Sequence, residues 1–166
     1  MSVNYTQNME EAIKSISTRG AFLTSKADGK VNTMTIGWGS IGYSWRKPIF
    51  TALIRESRFT KHFVDKSNEF TISVPLDDNM KKELAFCGSK SGRDYDKIKE
   101  CSLKLKEGNK VETPVISDCK MHYECKVLYK QEMDLNLLDE DVKNQAYKDG
   151  DIHTIYYAEI VDCYSL

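Results

Sequence analysis

The segment that most constrains the fold of this chain is residues 119–131, where apolar and polar side chains alternate with a period of two. One face carries Met121, Tyr123, Cys125, Val127 and Tyr129, and the other carries Lys120, His122, Glu124 and Lys126. Successive side chains of a β-strand point to opposite faces, so this pattern predicts a long strand with an apolar and a polar face.

Further strands are predicted at residues 21–25, 31–36, 49–54, 70–74 and 155–161, where β-branched and aromatic residues lie between turn residues. Asp28-Gly29 is a tight hairpin signal between the first two of these segments. Three glycines within residues 37–42 predict that the backbone there bends or lies close to another group.

Helical spacing of apolar residues predicts an opening helix, a helix after Phe59, one at 77–86 and a polar one near 138–147. Asn8 and Glu11 have the spacing of a capping box at the start of the first helix. Six or seven strands with peripheral helices and no regular βαβ alternation indicate an α+β, mainly β chain built on an antiparallel barrel. No repeat or linker divides the chain, so we expect residues 1–166 to form one domain.

Composition excludes several classes of function. The net charge is −1 and no local basic stripe stands out, which argues against nucleic acid as a partner. The N-terminus lacks the features of a signal peptide and no apolar run is long enough to span a membrane, so a cytoplasmic location is expected. Five cysteines without an export signal favour free thiols in a reducing compartment.

Residues 55–61 form the strongest candidate for a binding site, because they combine three cations with the predicted start of a helix. Ser57 is placed to cap that helix, Thr60 adds a hydroxyl, and Arg55, Arg58 and Lys61 add positive charge. Helix N-termini offer unpaired N–H groups to phosphate, and arginine forms charge-assisted bonds with phosphate oxygens. Without further information, a solvated basic helix start is the more common explanation.

Two other segments are weaker candidates. Residues 32–35 (Asn-Thr-Met-Thr) could direct polar groups to the edge of a planar ring, although an ordinary half-exposed strand has the same pattern. The loop at 88–94 could fold over an anionic or planar ligand, although flexible surface loops share its composition. Neither a P-loop nor a dinucleotide-binding glycine motif occurs in the sequence.

No metal site is expected at Cys119, His122 and Cys125, because alternation along a strand points His122 away from the two cysteines. His153 stands alone before the last strand, where a structural role is more common than a catalytic one. Cys87, beside the polar loop, fits a buried inert thiol better than a reactive one.

Taken together, four segments give residues 15–161 a resemblance to the flavin reductase-like, FMN-binding split-barrel family, and within it to the flavoredoxin-type branch. The segments are 32–35 with 38–40, the Pro48 strand ending in 55–60, residues 89–97, and His153-Thr154. The resemblance implies an antiparallel Greek-key split barrel that binds FMN. The chain departs from strict flavin reductases at two places. It has Trp38-Gly39 where that group commonly has a Trp-Phe-type turn, and the single Pro48 where that group commonly has a Pro-Pro pair.

By the same resemblance, the phosphate is held by residues 55–60, the ring and ribityl chain by residues 32–40, and residues 89–97 close over the flavin near the interface of a homodimer. The cofactor-binding positions that it implies are Asn32, Thr33, Met34, Thr35, Trp38, Gly39, Ser40, Arg55, Ser57, Arg58, Phe59, Thr60, Ser89, Gly92, Arg93 and Lys97. His153 is the one catalytic candidate, to position a nicotinamide or to protonate an acceptor.

Three functions remain open on this basis. The first is an oxidoreductase that passes electrons from NADH or NADPH through FMN to an acceptor. The second is a flavoredoxin-type electron-transfer protein that holds FMN, has no nicotinamide site and exchanges electrons with a redox protein partner. The third is a module that binds flavin or haem without catalysis.

Overall fold

The structure is a computed structural model that describes residues 3–166. The helices are α1 (Met9–Thr18), α2 (Phe59–Ser67), α3 (Lys81–Ser89), α4 (Lys97–Glu100) and α5 (Glu140–Ala146), with a 3₁₀ turn at Leu135–Leu137. The strands are β1 (Ala21–Ala27), β2 (Lys30–Ile36), β3 (Gly39–Ser44), β4 (Lys47–Arg55), β5 (Glu69–Val74), β6 (Leu105–Lys106), β7 (Val115–Ile116), β8 (Met121–Glu132) and β9 (His153–Ser165).

Seven of the strands form one sheet in the order β2-β1-β5-β8-β9-β4-β3, and β6 pairs with β7 in a small second sheet. Every pairing is antiparallel. The predicted α+β, mainly β class is therefore confirmed. Within residues 3–166, no helix is both long and apolar enough to cross a membrane.

The core lies on both sides of β1, because alternate side chains of that strand enter different clusters. Leu23 joins the main cluster, which includes Phe50, Phe70 and Tyr123 and is covered by Ile16 of α1. Phe22 joins a second cluster beneath α3 and α4. Burial of a large apolar side chain of this kind stabilises the fold by about 1.5–3 kcal/mol.

The Asp28-Gly29 turn has the predicted geometry. Both residues have positive φ, 50° and 73°, and Ala27 pairs with Lys30 across the two-residue loop. Such a loop requires positive φ at both positions, which glycine adopts at little cost and aspartate tolerates.

The polar face of β8 is buried, whereas the polar face of an alternating strand is commonly exposed to solvent. His122 and Glu124 are fully buried. The Glu124 carboxylate accepts hydrogen bonds from the N–H groups of Asn109, Lys110 and Val111, because the segment before β7 covers this face. Register shifts after Glu124 and Val127 end the alternation, which leaves Tyr129 46% exposed.

Three local predictions differ from the structure. Asn8 precedes α1, but its side chain donates to Ser165 Oγ at 3.0 Å and forms no cap hydrogen bond, so the capping box was wrong. The glycine-rich segment after Ile36 continues into β3, a strand that the sequence did not predict. Helix α3 extends to Ser89, beyond the predicted end at residue 86, and so includes Cys87.

Candidate functional site

Two cavities adjoin at the end of β4 and the start of α2, and they share Met34, Arg55 and Arg58. The Trp38 cavity, of about 170 Å³, is lined by Met34, Thr35, Ile36, Gly37, Trp38, Leu53, Arg55, Arg58 and His153. The Ser57 cavity, of about 280 Å³, is lined by Met34, Arg55, Ser57, Arg58, Phe59, Thr60, Ser89, Lys90, Ser91, Gly92, Arg93, Lys97 and Asp151. Most of the predicted binding positions therefore lie around one connected space.

Arg58 immediately precedes α2 and contributes charge to both cavities. One of its terminal nitrogens donates to Gly88 O at 2.7 Å. Burial, followed by the nearby charge of Arg55, lowers the pKa of this guanidinium from its usual value. An arginine remains charged even so, and a partly buried cation favours an anionic ligand.

Arg55 ends β4, and its guanidinium holds the segment before β9. One terminal nitrogen donates to Asp151 O at 2.5 Å and the other to Ala146 O at 3.0 Å. The same group lies 5.9 Å from the ring centroid of Trp38 and 5.4 Å from that of Tyr147, on which it can form cation–π contacts.

Lys61, the third cation of the predicted phosphate segment, does not face either cavity. Its Nζ lies 2.8 Å from Asp65 Oδ2 and 3.5 Å from Glu56 Oε2. Lys61 is the third residue of α2, and its ammonium group pairs with these acidic side chains.

Ser57 has a carboxylate as its partner. Its N–H donates to Asp151 Oδ1 at 3.1 Å and its hydroxyl to Asp151 Oδ2 at 2.6 Å. The prediction that Ser57 caps α2 is therefore wrong, because Arg58 is the N-cap residue and the Ser57 N–H and hydroxyl already bind an anionic group.

The segment from Ser89 to Arg93 lies against the start of α2. Arg93 donates to Ser57 O at 3.1 Å, and its guanidinium lies 5.0 Å from the ring centroid of Phe59. Gly92 packs so closely on Asn32 that an added Cβ would lie 2.2 Å from Asn32 Oδ1, so a larger residue here would displace the Asn32 amide. Asn32 in turn donates to Thr60 Oγ1 at 2.8 Å.

Lys97 is a buried cation on the wall of the Ser57 cavity, with 4% of its surface exposed. Its Nζ donates to Thr33 O at 2.9 Å and to Cys87 O at 3.0 Å. Burial lowers its pKa from the usual value. An ammonium group has three hydrogens, so the two carbonyls leave one for a ligand.

His153 and Trp38 form one end of the Trp38 cavity, with their ring centroids 5.2 Å apart. His153 Nδ1 lies 2.8 Å from the hydroxyl oxygen of Tyr147. Burial, together with the charge of Arg55, lowers the pKa of His153 to about 4, so the imidazole is neutral at pH 7.

Some predicted positions contribute differently. Thr33 directs its hydroxyl into the protein, to Thr24 Oγ1 and Leu23 O, and offers only its backbone near the site. Gly39 and Ser40 belong to β3 and do not line either cavity. Asn32 lines a third cavity of about 630 Å³ that also contains Phe63 and adjoins the Ser57 cavity at Phe59, Gly92, Arg93 and Lys97.

The sequence interpretation missed Leu53, Tyr147 and Asp151. Leu53 lay in a predicted strand, where period two could have assigned it to the face of Arg55. Tyr147 and Asp151 lie in a polar connection whose position next to Arg55 depends on the pairing of β4 with β9. In residues 3–166, no three His, Cys, Asp or Glu side chains are grouped to hold a metal ion.

Comparison with known proteins supports a family assignment. Residues 13–165 match the model of the family described as "Flavin reductase like domain". An uncharacterized protein from Archaeoglobus fulgidus is 30% identical over 126 residues, which cover 73% of this chain and 70% of that protein.

Solved structures of similar fold include the following three. Flavoredoxin from Methanosarcina acetivorans has a TM-score of 0.71 and 23% identity, over 89% of this chain and 68% of that chain. An FMN-binding protein from Thermus thermophilus has a TM-score of 0.68 and 21% identity, over 87% and 68%. An NADH:FAD oxidoreductase from Streptomyces globisporus has a TM-score of 0.68 and 17% identity, over 89% and 75%. The shared fold is the split barrel.

Proposed function

The chain belongs to the flavin reductase like domain family, and from this premise we propose that it is an FMN-binding oxidoreductase that passes electrons from NADH or NADPH through FMN to an acceptor. The structures that share its fold include an FMN-binding protein and an NADH:FAD oxidoreductase. When bound, FMN supplies the hydride and electron chemistry, and the protein supplies binding, orientation and electrostatics.

The observation that carries this proposal is the junction of a cationic cavity at a helix start with a cavity walled by aromatic rings. FMN has a phosphate at one end and a planar ring system at the other. Arg58 and the start of α2 suit the phosphate, and Trp38 and His153 suit the ring system. Met34, shared by both cavities, lies where the linking chain would pass.

The donors around the Ser57 cavity fit a phosphate group. The Arg58 side chain has one guanidinium nitrogen on Gly88 O and forms no other hydrogen bond with the part of the chain that the structure describes. Thr60 and Lys97 add donors at the same cavity, whose lining also contains Asp151 and Ser89, and the Ser89 hydroxyl already donates to Ala85 O. We therefore assign the phosphate to the Ser57 cavity and the ring system to the Trp38 cavity.

The proposal is tested by purifying the protein without added flavin, recording its visible spectrum, and adding NADH or NADPH under argon. We expect flavin absorption bands, either on purification or after addition of FMN, and their loss on addition of one of the two donors. A colourless protein that does not bind added FMN would contradict the cofactor assignment.

A second candidate is the electron-transfer protein without a nicotinamide site. Trp38 favours it, because this ring lines the cavity and is also 49% exposed, so it connects the site with the surface that a redox protein partner would contact. In the same experiment, bound flavin that neither nicotinamide reduces, but that a reduced ferredoxin-like protein does, would select this candidate.

We also propose that the protein is a homodimer whose second copy covers an aromatic surface formed by Trp45, Tyr129 and Tyr157. Trp45 is 59% and Tyr129 46% exposed, and the Trp45 ring lies 6.4 Å from that of Tyr129 and 6.0 Å from that of Tyr157. Exposed aromatic clusters are common at protein interfaces. Light scattering after size exclusion should give twice the 19.0 kDa chain mass, and Trp45→Ala should lower it.

A cytoplasmic location is the remaining proposal. All five cysteines are free, and four of them are buried, which fits a protein that folds in a reducing compartment. Thiol titration of the denatured, unreduced protein taken directly from cells should find five thiols, and a disulfide would contradict the location.

A further inference from the structure

Tyr147 is a buried residue at the site to which the proposed function assigns no task. It follows α5, and its hydroxyl oxygen lies 2.8 Å from Nδ1 of His153, the first residue of β9. Both side chains are almost fully buried, with 6% exposed in each case. The pair is therefore held in one arrangement by packing as well as by its hydrogen bond.

Arg55 fixes the segment that carries Tyr147. Its guanidinium donates to Ala146 O and Asp151 O, on either side of Tyr147 in the sequence, and lies 5.4 Å from the Tyr147 ring centroid. Tyr147 therefore cannot turn away from His153 without breaking contacts with a charged group.

Burial and the charges around His153 keep its ring neutral. Arg55 and Arg58 oppose a proton on the imidazole, and Asp151 favours one. Burial acts in the same direction as the arginines, and the pKa of His153 falls to about 4. Burial also raises the pKa of Tyr147, so its hydroxyl keeps its hydrogen at neutral pH.

Hydrogen-bond accounting then selects one tautomer of the neutral ring. His153 Nδ1 is the one hydrogen-bond partner of the Tyr147 hydroxyl in the part of the chain that the structure describes. A buried O–H group needs an acceptor, so Tyr147 donates and Nδ1 accepts. The hydrogen of the neutral imidazole is then on Nε2.

His153 also lines the Trp38 cavity, and within residues 3–166 its Nε2 forms no hydrogen bond. An Nε2–H group in this position is a donor with a free direction toward a ligand. Its natural acceptor is a carbonyl oxygen or an unprotonated nitrogen on the edge of a planar ring.

We propose that Tyr147 is a positioning residue that fixes His153 as the neutral Nε2–H tautomer, so that His153 donates a hydrogen bond to the ring edge of the ligand in the Trp38 cavity. The identity of that ligand rests on the proposed function, whereas the tautomer does not. His153 then acts as a hydrogen-bond donor at neutral pH, with Nδ1 unprotonated.

The first test is ¹⁵N NMR of the histidine rings in the flavin-free protein, which distinguishes protonated from unprotonated ring nitrogens. The chain has three histidines, and His153→Gln identifies the signals of His153. We expect one neutral tautomer, with hydrogen on Nε2, from pH 5 to pH 8. Hydrogen on Nδ1, or a charged ring at pH 7, would overturn the proposal. This outcome needs no substitution of Tyr147.

The second test is Tyr147→Phe, which removes only the hydroxyl oxygen. Nδ1 then loses the donor that stabilises the neutral Nε2–H form, so the His153 signals should show both tautomers and titrate at higher pH, while those of buried His122 stay unchanged. Unchanged His153 signals in a folded variant would contradict a positioning role for Tyr147.

The FMN-loaded protein then separates this inference from the proposed function. Tyr147→Phe and His153→Gln should each shift the flavin reduction potential, and the double variant should show a shift no larger than that of His153→Gln alone. If FMN does not bind but the ring nitrogens behave as expected, the proposed function fails and the tautomer assignment stands. If FMN binds and Tyr147→Phe changes neither the potential nor the tautomer, the inference fails alone.

Discussion

Arg55 and Arg58 lie close together in the sequence, but their guanidinium groups have different surroundings. Arg55 has both terminal nitrogens on backbone carbonyls, at 2.5 Å from Asp151 O and 3.0 Å from Ala146 O. Both arginines line both cavities, but the Arg58 side chain has one nitrogen on Gly88 O and no other hydrogen bond within residues 3–166. Arg55 therefore mainly stabilises the fold, whereas Arg58 has more of its donors available for a ligand.

The first prediction compares these two arginines. Arg58→Ala should weaken FMN binding about 10- to 100-fold, because a charge-assisted hydrogen bond is worth about 1.5–3 kcal/mol. Arg55→Ala should weaken it less and lower the free energy of unfolding by about 1–3 kcal/mol, since it leaves two carbonyls without a donor. Fluorescence titration with FMN and urea unfolding measure the two effects.

Lys61→Ala is the matched control for both arginines, because Lys61 carries the same charge in the same segment but contacts Asp65 and Glu56. It should leave FMN affinity unchanged. Loss of the Arg55 and Arg58 side chains together should lower FMN affinity sharply, and an unchanged affinity in that double variant would remove the phosphate assignment.

Asp151 supports a second prediction at the residue scale, because its carboxylate binds the Ser57 N–H and hydroxyl. A phosphate that approaches the same donors meets a like charge. Asp151→Asn should therefore tighten FMN binding about fivefold, or about 1 kcal/mol. Asp149→Asn, an exposed carboxylate nearby, is the control, and weaker binding by Asp151→Asn would show that the carboxylate supports the ligand instead.

His122 gives a prediction about pH. It is fully buried between Ser73 Oγ and Cys119 O, and burial lowers its pKa from 6.5 to about 4. Between those values the unfolded chain takes up a proton that the native protein does not. The free energy of unfolding should therefore fall as pH falls from 6.5 to 4, by up to about 1.4 kcal/mol per pH unit.

Urea unfolding at several pH values measures this dependence. His122→Gln should reduce the dependence of the free energy of unfolding on pH between pH 6.5 and 4. His153, whose pKa is also lowered to about 4, accounts for part of the dependence that remains. An unchanged slope in His122→Gln would contradict the prediction.

At the scale of elements, the two hairpins at the ends of the sheet have different turn residues. Asp28-Gly29 joins β1 to β2, and Trp45-Arg46 joins β3 to β4. Trp45 and Arg46 both have positive φ, 53° and 59°, which disfavours residues other than glycine, asparagine and aspartate. The β3–β4 turn is therefore strained, and it carries an exposed tryptophan of the proposed dimer surface.

Relief of this strain is the fourth prediction. Arg46→Gly should raise the free energy of unfolding by about 0.5–1 kcal/mol, because glycine adopts positive φ without the cost that a side chain brings, although it adds entropy to the unfolded chain. Gly29→Ala, at φ 73° in the other hairpin, should lower it by a similar amount. Thermal unfolding of both variants checks the pair, and a destabilised Arg46→Gly would contradict the argument.

At the scale of the whole molecule, ligand binding and stability are linked, because a ligand that binds only the folded chain stabilises it by mass action. Free FMN at about 100 times its dissociation constant should raise the free energy of unfolding by about 2.7 kcal/mol. Riboflavin at the same concentration should give a smaller increase, since it lacks the phosphate. Arg58→Ala should reduce the effect of FMN and leave that of riboflavin nearly unchanged, whereas equal effects of both flavins would contradict the phosphate assignment.

The sequence alone determined six of the strands, the hairpin at Asp28-Gly29 and the class of the fold, because alternation and turn chemistry act between residues that are close in the chain. It also determined a cationic segment at the start of a helix, Arg55 to Thr60, for the same reason. The strand β3 escaped prediction because its glycines give no alternating pattern, and its pairing with β4 is what makes it a strand.

The tertiary structure alone decided which polar groups meet. Asp151 lies next to Ser57, 94 residues away, and Tyr147 next to His153 beside Arg55, because the register of β4 with β9 places Arg55 opposite His153. The burial of His122 and Glu124 likewise depends on a distant segment that covers β8. Contacts of this kind follow from strand order and register, which bring distant residues together without leaving a pattern in either local segment.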